Sequence, residues 1–330
     1  MKIAYFDCFS GISGDMTVGA LLDAGLKIET LETELKKIGL TGYQLEADKV
    51  AKKGISATQF KVKIKEEGVE RRFKDILTIL KKSKLDEEIK KEVIRIFFNI
   101  AQVESKIHQK DMDEIHFHEI GGLDSIIDIT STVIGIKILG IEEIYSSALP
   151  LGKGFVECAH GIIPVPAPAT LELLKNIPTY GGGIESEMIT PTGAAIISSL
   201  AKSFGERPLM EIERIGYGAG EKEFNIPNLL RISIGKKRLK DEQLKDSYVS
   251  DEAVLIETNI DDMNPEFYDY IMDQLFSQGA LDVFLTPIQM KKNRPAHMLS
   301  ILVYEQDLKE IFCLLYTSDA ADEEDSVDLG

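Results

Sequence analysis

The fifteen residues Lys236–Ser250 do most to limit what this chain can become. They begin Lys-Lys-Arg-Leu-Lys-Asp-Glu-Gln-Leu-Lys-Asp-Ser, and a stretch so dense in charge cannot be laid inside an apolar core. It reads as a linker between two separately packed bodies. The expected partition is residues 1–235, the linker 236–250 and a small domain over 251–312. A chain of 330 residues has room for two or three domains of ~100–200 residues each. Its 44% hydrophobic and 28% charged residues suit globular domains with sizeable cores. No apolar run approaches the ~18–20 residues of a membrane span, and the N-terminus Met1–Asp7 lacks a secretory signal.

Before the linker, strand and helix patterns alternate, which predicts a larger mixed α/β domain. Lys2–Phe6 reads as a strand, Asp7–Asp15 as a polar glycine-containing loop and Met16–Leu26 as a helix. A helix over Ile28–Ile38 and strands over Tyr43–Lys49 and Gln59–Ile64 follow, the last alternating Phe60, Val62 and Ile64 with lysines. Helices are expected at Phe73–Leu80, Asp86–His108, Ser125–Leu139, Ala169–Lys175 and Thr192–Ser203, and strands at Glu143–Ser147, Glu211–Gly216 and Asn228–Ile234. After the linker come Ala253–Asn259 (strand), Pro265–Gln278 (helix), Asp282–Ile288 and His297–Val303 (strands) and Glu305–Phe312 (helix). This β-α-β-β-α order predicts a small ferredoxin-like domain lacking its last strand, so the whole is α+β / α/β. Residues 313–330 are set apart. From Asp319 on they carry six acids and no base. They read either as an acidic tail or as a translated adapter, with the native chain continuing differently after about Phe312.

Several clusters are able to carry chemistry. His116-Phe117-His118-Glu119 is followed by Asp124 and Asp128. In an extended segment the two histidines share one face, and the two aspartates lie one helical turn apart. Imidazoles with carboxylates suit nickel, zinc or cobalt, although Asp124 is also placed to cap its helix. Cys158-Ala159-His160 precedes three alternating prolines, Pro164, Pro166 and Pro168. It suits a soft metal, an activated thiol or plain burial of a small cysteine. Asp7-Cys8-Phe9-Ser10-Gly11-Ile12-Ser13-Gly14-Asp15-Met16 sits between strand and helix. Its glycines and serines are suited to an anion at a helix N-terminus, and Asp7 and Asp15 to a hydrated divalent cation. It matches neither a Walker A loop nor G-x-G-x-x-G. Thr190-Pro191-Thr192-Gly193 and Gly216-Tyr217-Gly218-Ala219-Gly220 are either phosphate contacts or tight turns. Beyond the linker, Asn259–Glu266 presents Asp261 and Asp262, and Gln289–Pro295 presents Lys291, Lys292 and Arg294. An acid pair with a basic cluster is what a nucleoside triphosphate and its metal require; a capped helix and a solvated charge run are the plainer alternative.

In this order, DCFSGISGDM (7–16), HFHEIGGLDSIID (116–128), HGIIPVPAPAT (160–170), TPTGA (190–194), GYGAG (216–220) and NIDDMNPE (259–266) resemble the LarC family. These are the nickel-insertion proteins of nickel-pincer cofactor synthesis. The resemblance covers essentially residues 1–312. It implies a nickel chelatase that inserts Ni²⁺ into pyridinium-3,5-bisthiocarboxylic acid mononucleotide, forming one carbon–nickel and two sulfur–nickel bonds. It further implies dependence on CTP with Mg²⁺ or Mn²⁺, a nucleotide site in the C-terminal domain, and a product used by lactate racemase-like acceptor enzymes. On that reading His116, His118, Glu119 and Asp128 hold nickel, and Glu119, Asp124 or His160 takes the ring proton. Asp7, Ser10, Gly11, Gly14, Asp15, Thr192 and Gly218 cradle the substrate. Asp261 and Asp262 hold the divalent ion, and Lys291, Lys292 and Arg294 the phosphates of CTP. Some members carry a long histidine-rich stretch; with five histidines here, high-capacity nickel storage is not expected. A metal-delivering chaperone without insertase catalysis and a regulatory nucleotide-binding protein are the competing readings.

Charge and cysteine content narrow the field further. A net charge of −17 argues against a duplex nucleic-acid partner, because phosphate affinity needs a basic face. Three cysteines make no disulfide framework and suit a reducing cytoplasm. Ferredoxin-like domains commonly assemble into rings or dimers, so a homo-oligomer is an expectation.

Overall fold

The computed structural model describes residues 1–65, 71–112, 115, 117, 122–158, 161–238 and 252–315. The chain divides into two compact units, Met1–Lys240 and Asp241–Gly330. Both mix helices with β-sheet.

In the first unit the elements run β1 (Lys2–Asp7), α1 (Gly14–Asp23), α2 (Ile28–Leu35), β2 (Tyr43–Lys52), β3 (Ile55–Ile64), α3 (Phe73–Lys82), α4 (Glu87–His108) and α5 (Leu123–Ile138). They continue with β4 (Glu143–Ser146), β5 (Leu149–Leu151), β6 (Phe155–Cys158), β7 (Gly161–Pro164), α6 (Pro168–Leu173) and β8 (Thr179–Gly181). The unit closes with α7 (Pro191–Leu200), β9 (Ala201–Phe204), β10 (Met210–Ala219) and β11 (Leu229–Lys237). Seven strands form one sheet in the order β2-β3-β10-β11-β1-β4-β9. β1 pairs antiparallel with β11 and parallel with β4. β2 and β3 form a hairpin whose two turn residues, Lys53 and Gly54, both have positive φ, the turn whose twist matches that of the flanking strands. Among the described residues this hairpin joins the sheet at a single register pair, Gly218 with Thr58. β3 therefore runs on from Gln59 to Ile64 without a sheet partner on its β10 side.

The core explains why α1 and α5 are nearly apolar all round. α5 buries Ile126, Ile127, Ile129 and Ile134, and α1 buries Val18, Ala20 and Leu21. Both helices are interior, α1 lying on β10 and β3 and against α5. That contact needs glycine at 218: a Cβ there would lie 1.8 Å from the Met16 carbonyl oxygen. On α4, Ile89, Val93, Ile96, Phe97 and Ile100 form the buried stripe expected of an amphipathic helix. Phe117 is buried against the rings of Phe73 and Phe97.

Several boundaries differ from the sequence expectation. α1 starts at Gly14, not Met16, because Ser13 caps it. α5 starts at Leu123, which puts Asp124 inside its first turn. α7 ends at Leu200; Ala201–Phe204 is a strand paired with β4 rather than the end of a helix. Lys236 and Lys237 belong to β11, paired with Lys2 and Met210, so the polar stretch begins later than its charge suggests. The short strands β5 to β8 had no clear period to announce them.

The second unit contains β12 (Val254–Ile260), α8 (Phe267–Ser277), β13 (Ala280–Met290) and β14 (Arg294–Val303), then a helix over 308–315. The sheet order is β12-β14-β13, antiparallel throughout. Ile271 and Leu275 of α8 pack with Val283, Leu299, Ile301 and Ile311. Residues 316–330 lie outside the described residues.

Candidate functional site

Three helix N-termini meet at one cavity of the first unit. The segment before α1 is held beside the segment before α7 by two backbone hydrogen bonds: Ile12 N–H donates to the Met188 carbonyl (3.1 Å) and Thr190 N–H to the Ile12 carbonyl (3.1 Å). Thr190 then caps α7, its Oγ1 accepting from Gly193 N–H at 3.1 Å, with Pro191 in the first turn. Ser13 caps α1 and donates its hydroxyl hydrogen to Asp15. α5 is tied to α7 by the Ser125 and Thr192 hydroxyls, 3.3 Å apart.

Between them lies a cavity of 610 Å³. Asp15, Asp124, Asp128, Glu157, Glu187 and Glu221 line it, together with Lys61 and Lys63 of β3. Gly14 is required at the α1 start, since a Cβ there would sit 2.4 Å from Asp128 Oδ2. Asp128 turns partly toward the cavity, but its Oδ1 is buried with no hydrogen-bond partner. Burial first, then the charges of Asp15 and Asp124, push its carboxyl well above the ordinary aspartate range. Burial raises Asp15 too, with Glu221 adding to it and the Ser13 hydrogen bond working against it. Burial beside other carboxylates favours the protonated form of both groups. The wall formed by β3 has the opposite charge: Lys61 Nζ is 3.3 Å from Glu221, and Lys63 Nζ is 2.7 Å from Glu46.

The sequence-derived residues fall into four groups. Gly14, Asp15, Asp124, Asp128 and Thr192 come together at the cavity. Asp7, Ser10, Gly11 and Gly218 do not line it. Asp7 pairs with Arg231 (Nε to Oδ2, 3.0 Å). Ser10 is fully buried; it accepts from Leu229 N–H at 3.1 Å and donates to Asn228. Gly11, at φ +102°, is packed on the Met188 carbonyl, and Gly218 is packed on α1. His116, His118, Glu119 and His160 lie outside the described residues. Among the described residues, no three His, Cys, Asp or Glu side chains gather closely enough to hold a metal ion. In the second unit, Asp261 and Asp262 follow β12, while Lys291 and Lys292 occupy the β13–β14 turn and Arg294 opens β14. Ile260 pairs with His297 and Met290 with Arg294, so both turns lie at one end of the sheet. Arg294 reaches Asp261 at 3.7 Å. Sequence reasoning passed over Lys61, Lys63, Glu157, Glu187 and Glu221.

The model of the nickel insertion protein family matches residues 4–320. The chain belongs to the nickel insertion protein family. It is 51% identical over 314 residues to a putative nickel insertion protein of Dictyoglomus thermophilum, covering 94% of this chain and 80% of that one. It is 48% identical over 317 residues to a pyridinium-3,5-bisthiocarboxylic acid mononucleotide nickel insertion protein of Desulfitobacterium hafniense, covering 96% and 78%. A solved structure described as LarC2, the C-terminal domain of a cyclometallase in synthesis of the NPN cofactor of lactate racemase, is 48% identical. It covers 20% of this chain and 46% of its own, at a TM-score of 0.19. For this nickel insertion family member, no helix among the described residues is long and apolar enough to cross a membrane.

Proposed function

We propose that this chain inserts Ni²⁺ into pyridinium-3,5-bisthiocarboxylic acid mononucleotide, with CTP and a divalent cation required, and that the cavity of the first unit is where insertion takes place. The observation that carries the reading is the carboxylate wall of Asp15, Asp124 and Asp128 at three converging helix N-termini, in a family of nickel insertion proteins. Nickel is a substrate here. Residues that hold it must also release it, which suits imidazole and carboxylate better than thiolate. His116, His118 and Glu119 precede the helix that brings Asp124 and Asp128 to the cavity, and with Asp128 they are the proposed ligands. Metallation of an aromatic ring carbon forms the carbon–nickel bond as the C–H bond breaks, and the released proton needs an acceptor. Asp124, on the cavity wall, is the described residue best placed for that role; Glu119 and His160 remain proposed partners.

CTP is assigned to the second unit. The residues present fit a metal–triphosphate: two carboxylates, Asp261 and Asp262, stand at the same end of the sheet as Lys291, Lys292 and Arg294. Asp261 and Asp262 would hold the divalent ion, and the three basic residues the phosphates. The order β12-β14-β13 with α8 after the first strand supports the ferredoxin-like reading of this unit. The lyase class, use of the product by a racemase-like acceptor enzyme and a cytoplasmic setting belong to the same proposal.

The test is the reaction itself. Purified chain, Ni²⁺, the bisthiocarboxylate mononucleotide and Mg-CTP are combined, and the nickel-containing product is read by mass spectrometry. Product that requires CTP and disappears with Asp124→Ala is the expected outcome. Nickel transferred stoichiometrically to an acceptor, with no CTP requirement and no product, would replace insertion with metal delivery.

A further inference from the structure

The proposed substrate carries a phosphate, and the cavity that would receive it is lined chiefly by acids. Six carboxylate side chains border it against two lysines. Helix N-termini ordinarily attract anions, but those of α1 and α7 are already engaged. Ser13 and Asp15 occupy the first, and the Thr190 hydroxyl and Pro191 take the second. Asp124 stands in the first turn of α5. A phosphate placed there would face carboxylates across the cavity.

Among the described residues, only the β3 wall has the right sign. Lys61 and Lys63 stand two residues apart on a strand, so they project to the same face, and both border the cavity. Their present partners, Glu221 and Glu46, hold them in ion pairs open to water, with Lys61 and Lys63 side chains 41% and 62% exposed. Such pairs are weak and exchange readily for a better acceptor. The strand adds a second feature. Past Thr58, β3 has no sheet partner on its β10 side among the described residues, and Phe60–Lys63 border the cavity along that stretch. A strand edge left open in this way offers backbone N–H groups as well as ammonium groups.

We infer that Lys61 and Lys63, with the open edge of β3, form the subsite for the phosphate of the mononucleotide, which directs the cationic pyridinium ring toward the aspartates of the cavity. This rests on the cavity being the substrate site. It makes the two lysines positioning residues that set specificity for a nucleotide over a nucleoside, with no part in the metallation itself. A dianion bound by two ammonium groups also orders the ligand along one axis, so the reacting ring carbon reaches Asp124 rather than the mouth of the cavity.

The experiment is calorimetric binding to the full chain, without nickel or CTP, of the bisthiocarboxylate mononucleotide and of the same compound lacking its phosphate. The readout is the ratio of the two dissociation constants in wild type, Lys61→Gln, Lys63→Gln and the double variant. Lys153→Gln removes an equal charge away from the cavity and serves as a control, and circular dichroism checks folding. The inference expects wild type to favour the phosphorylated compound. The preference should fall about tenfold for each single variant and about a hundredfold for the pair, with the control unchanged. A wild-type preference that survives in the double variant, or a wild type with no preference, overturns it. If wild type binds neither compound, it is the assignment of the cavity as substrate site that fails.

Discussion

The two units hold their charged residues in opposite ways. In the first, Asp15 and Asp128 are drawn into partial burial by helix caps and a glycine contact, and burial drives both carboxyls upward. In the second, Asp261, Asp262, Lys291, Lys292 and Arg294 are all exposed, on turns or beside them, and the ion pair between Asp261 and Arg294 is loose at 3.7 Å. Each arrangement suits a different task. Carboxylates kept close together in a packed cavity cost stability that the rest of the fold must offset, and they gain a fixed geometry. Exposed charges on turns cost little and wait for a ligand to order them.

Substitutions can break this contrast, and the strongest strikes the packing beneath the first unit. Phe117, which lies between His116 and His118 in the sequence, is buried against Phe73 and Phe97. Phe117→Ala should cost about 3–5 kcal/mol, read by denaturant unfolding, and should weaken nickel binding as well. Gly218→Val would press a side chain into the backbone of α1. The expected cost is about 3 kcal/mol or more, and a variant as stable as wild type would favour an anion-binding role for this glycine over packing.

Asp128→Asn sharpens the contrast by moving stability and activity in opposite directions. The folded chain holds the Asp128 proton more tightly than the unfolded chain does. Stability of the wild type therefore falls as pH rises above the ordinary aspartate range toward the raised folded value. Asp15 acts with the same sign. The variant should flatten this decline, be more stable than wild type at neutral pH and lose insertion. Thermal melts across pH and the product assay report the two effects. The smallest expected change in stability belongs to Arg294→Ala in the second unit. With its pair exposed and loose, the loss should stay within about 0.5 kcal/mol, while Mg-CTP affinity measured by calorimetry falls about tenfold.

Much of the element order was legible because it rests on local chemistry. The apolar stripe of α4, the Thr190-Pro191 start of α7 and the βαββα order after the linker follow from period and capping. What escaped was set by distant contacts. β9 has the residues of a helix end but pairs with β4. Lys61 and Lys63 read as the solvated face of a strand until the hairpin is seen to leave β10 after one register pair. Gly14 and Gly218 look alike in sequence, both in glycine-rich segments beside helices or strands. One makes room for the Asp128 carboxylate and the other for the backbone of α1, a distinction that no spacing carries.

The most direct test of two separate sites is equilibrium binding of both ligands to two variants of the full chain. Val156→Trp would fill the cavity from the β6 side, and Asp261→Ala would remove a carboxylate from the second unit. The account predicts that the first variant loses the bisthiocarboxylate mononucleotide and keeps Mg-CTP, and that the second does the reverse. Loss of both ligands from one folded variant, or substrate binding undiminished in a chain whose cavity is filled, would contradict it.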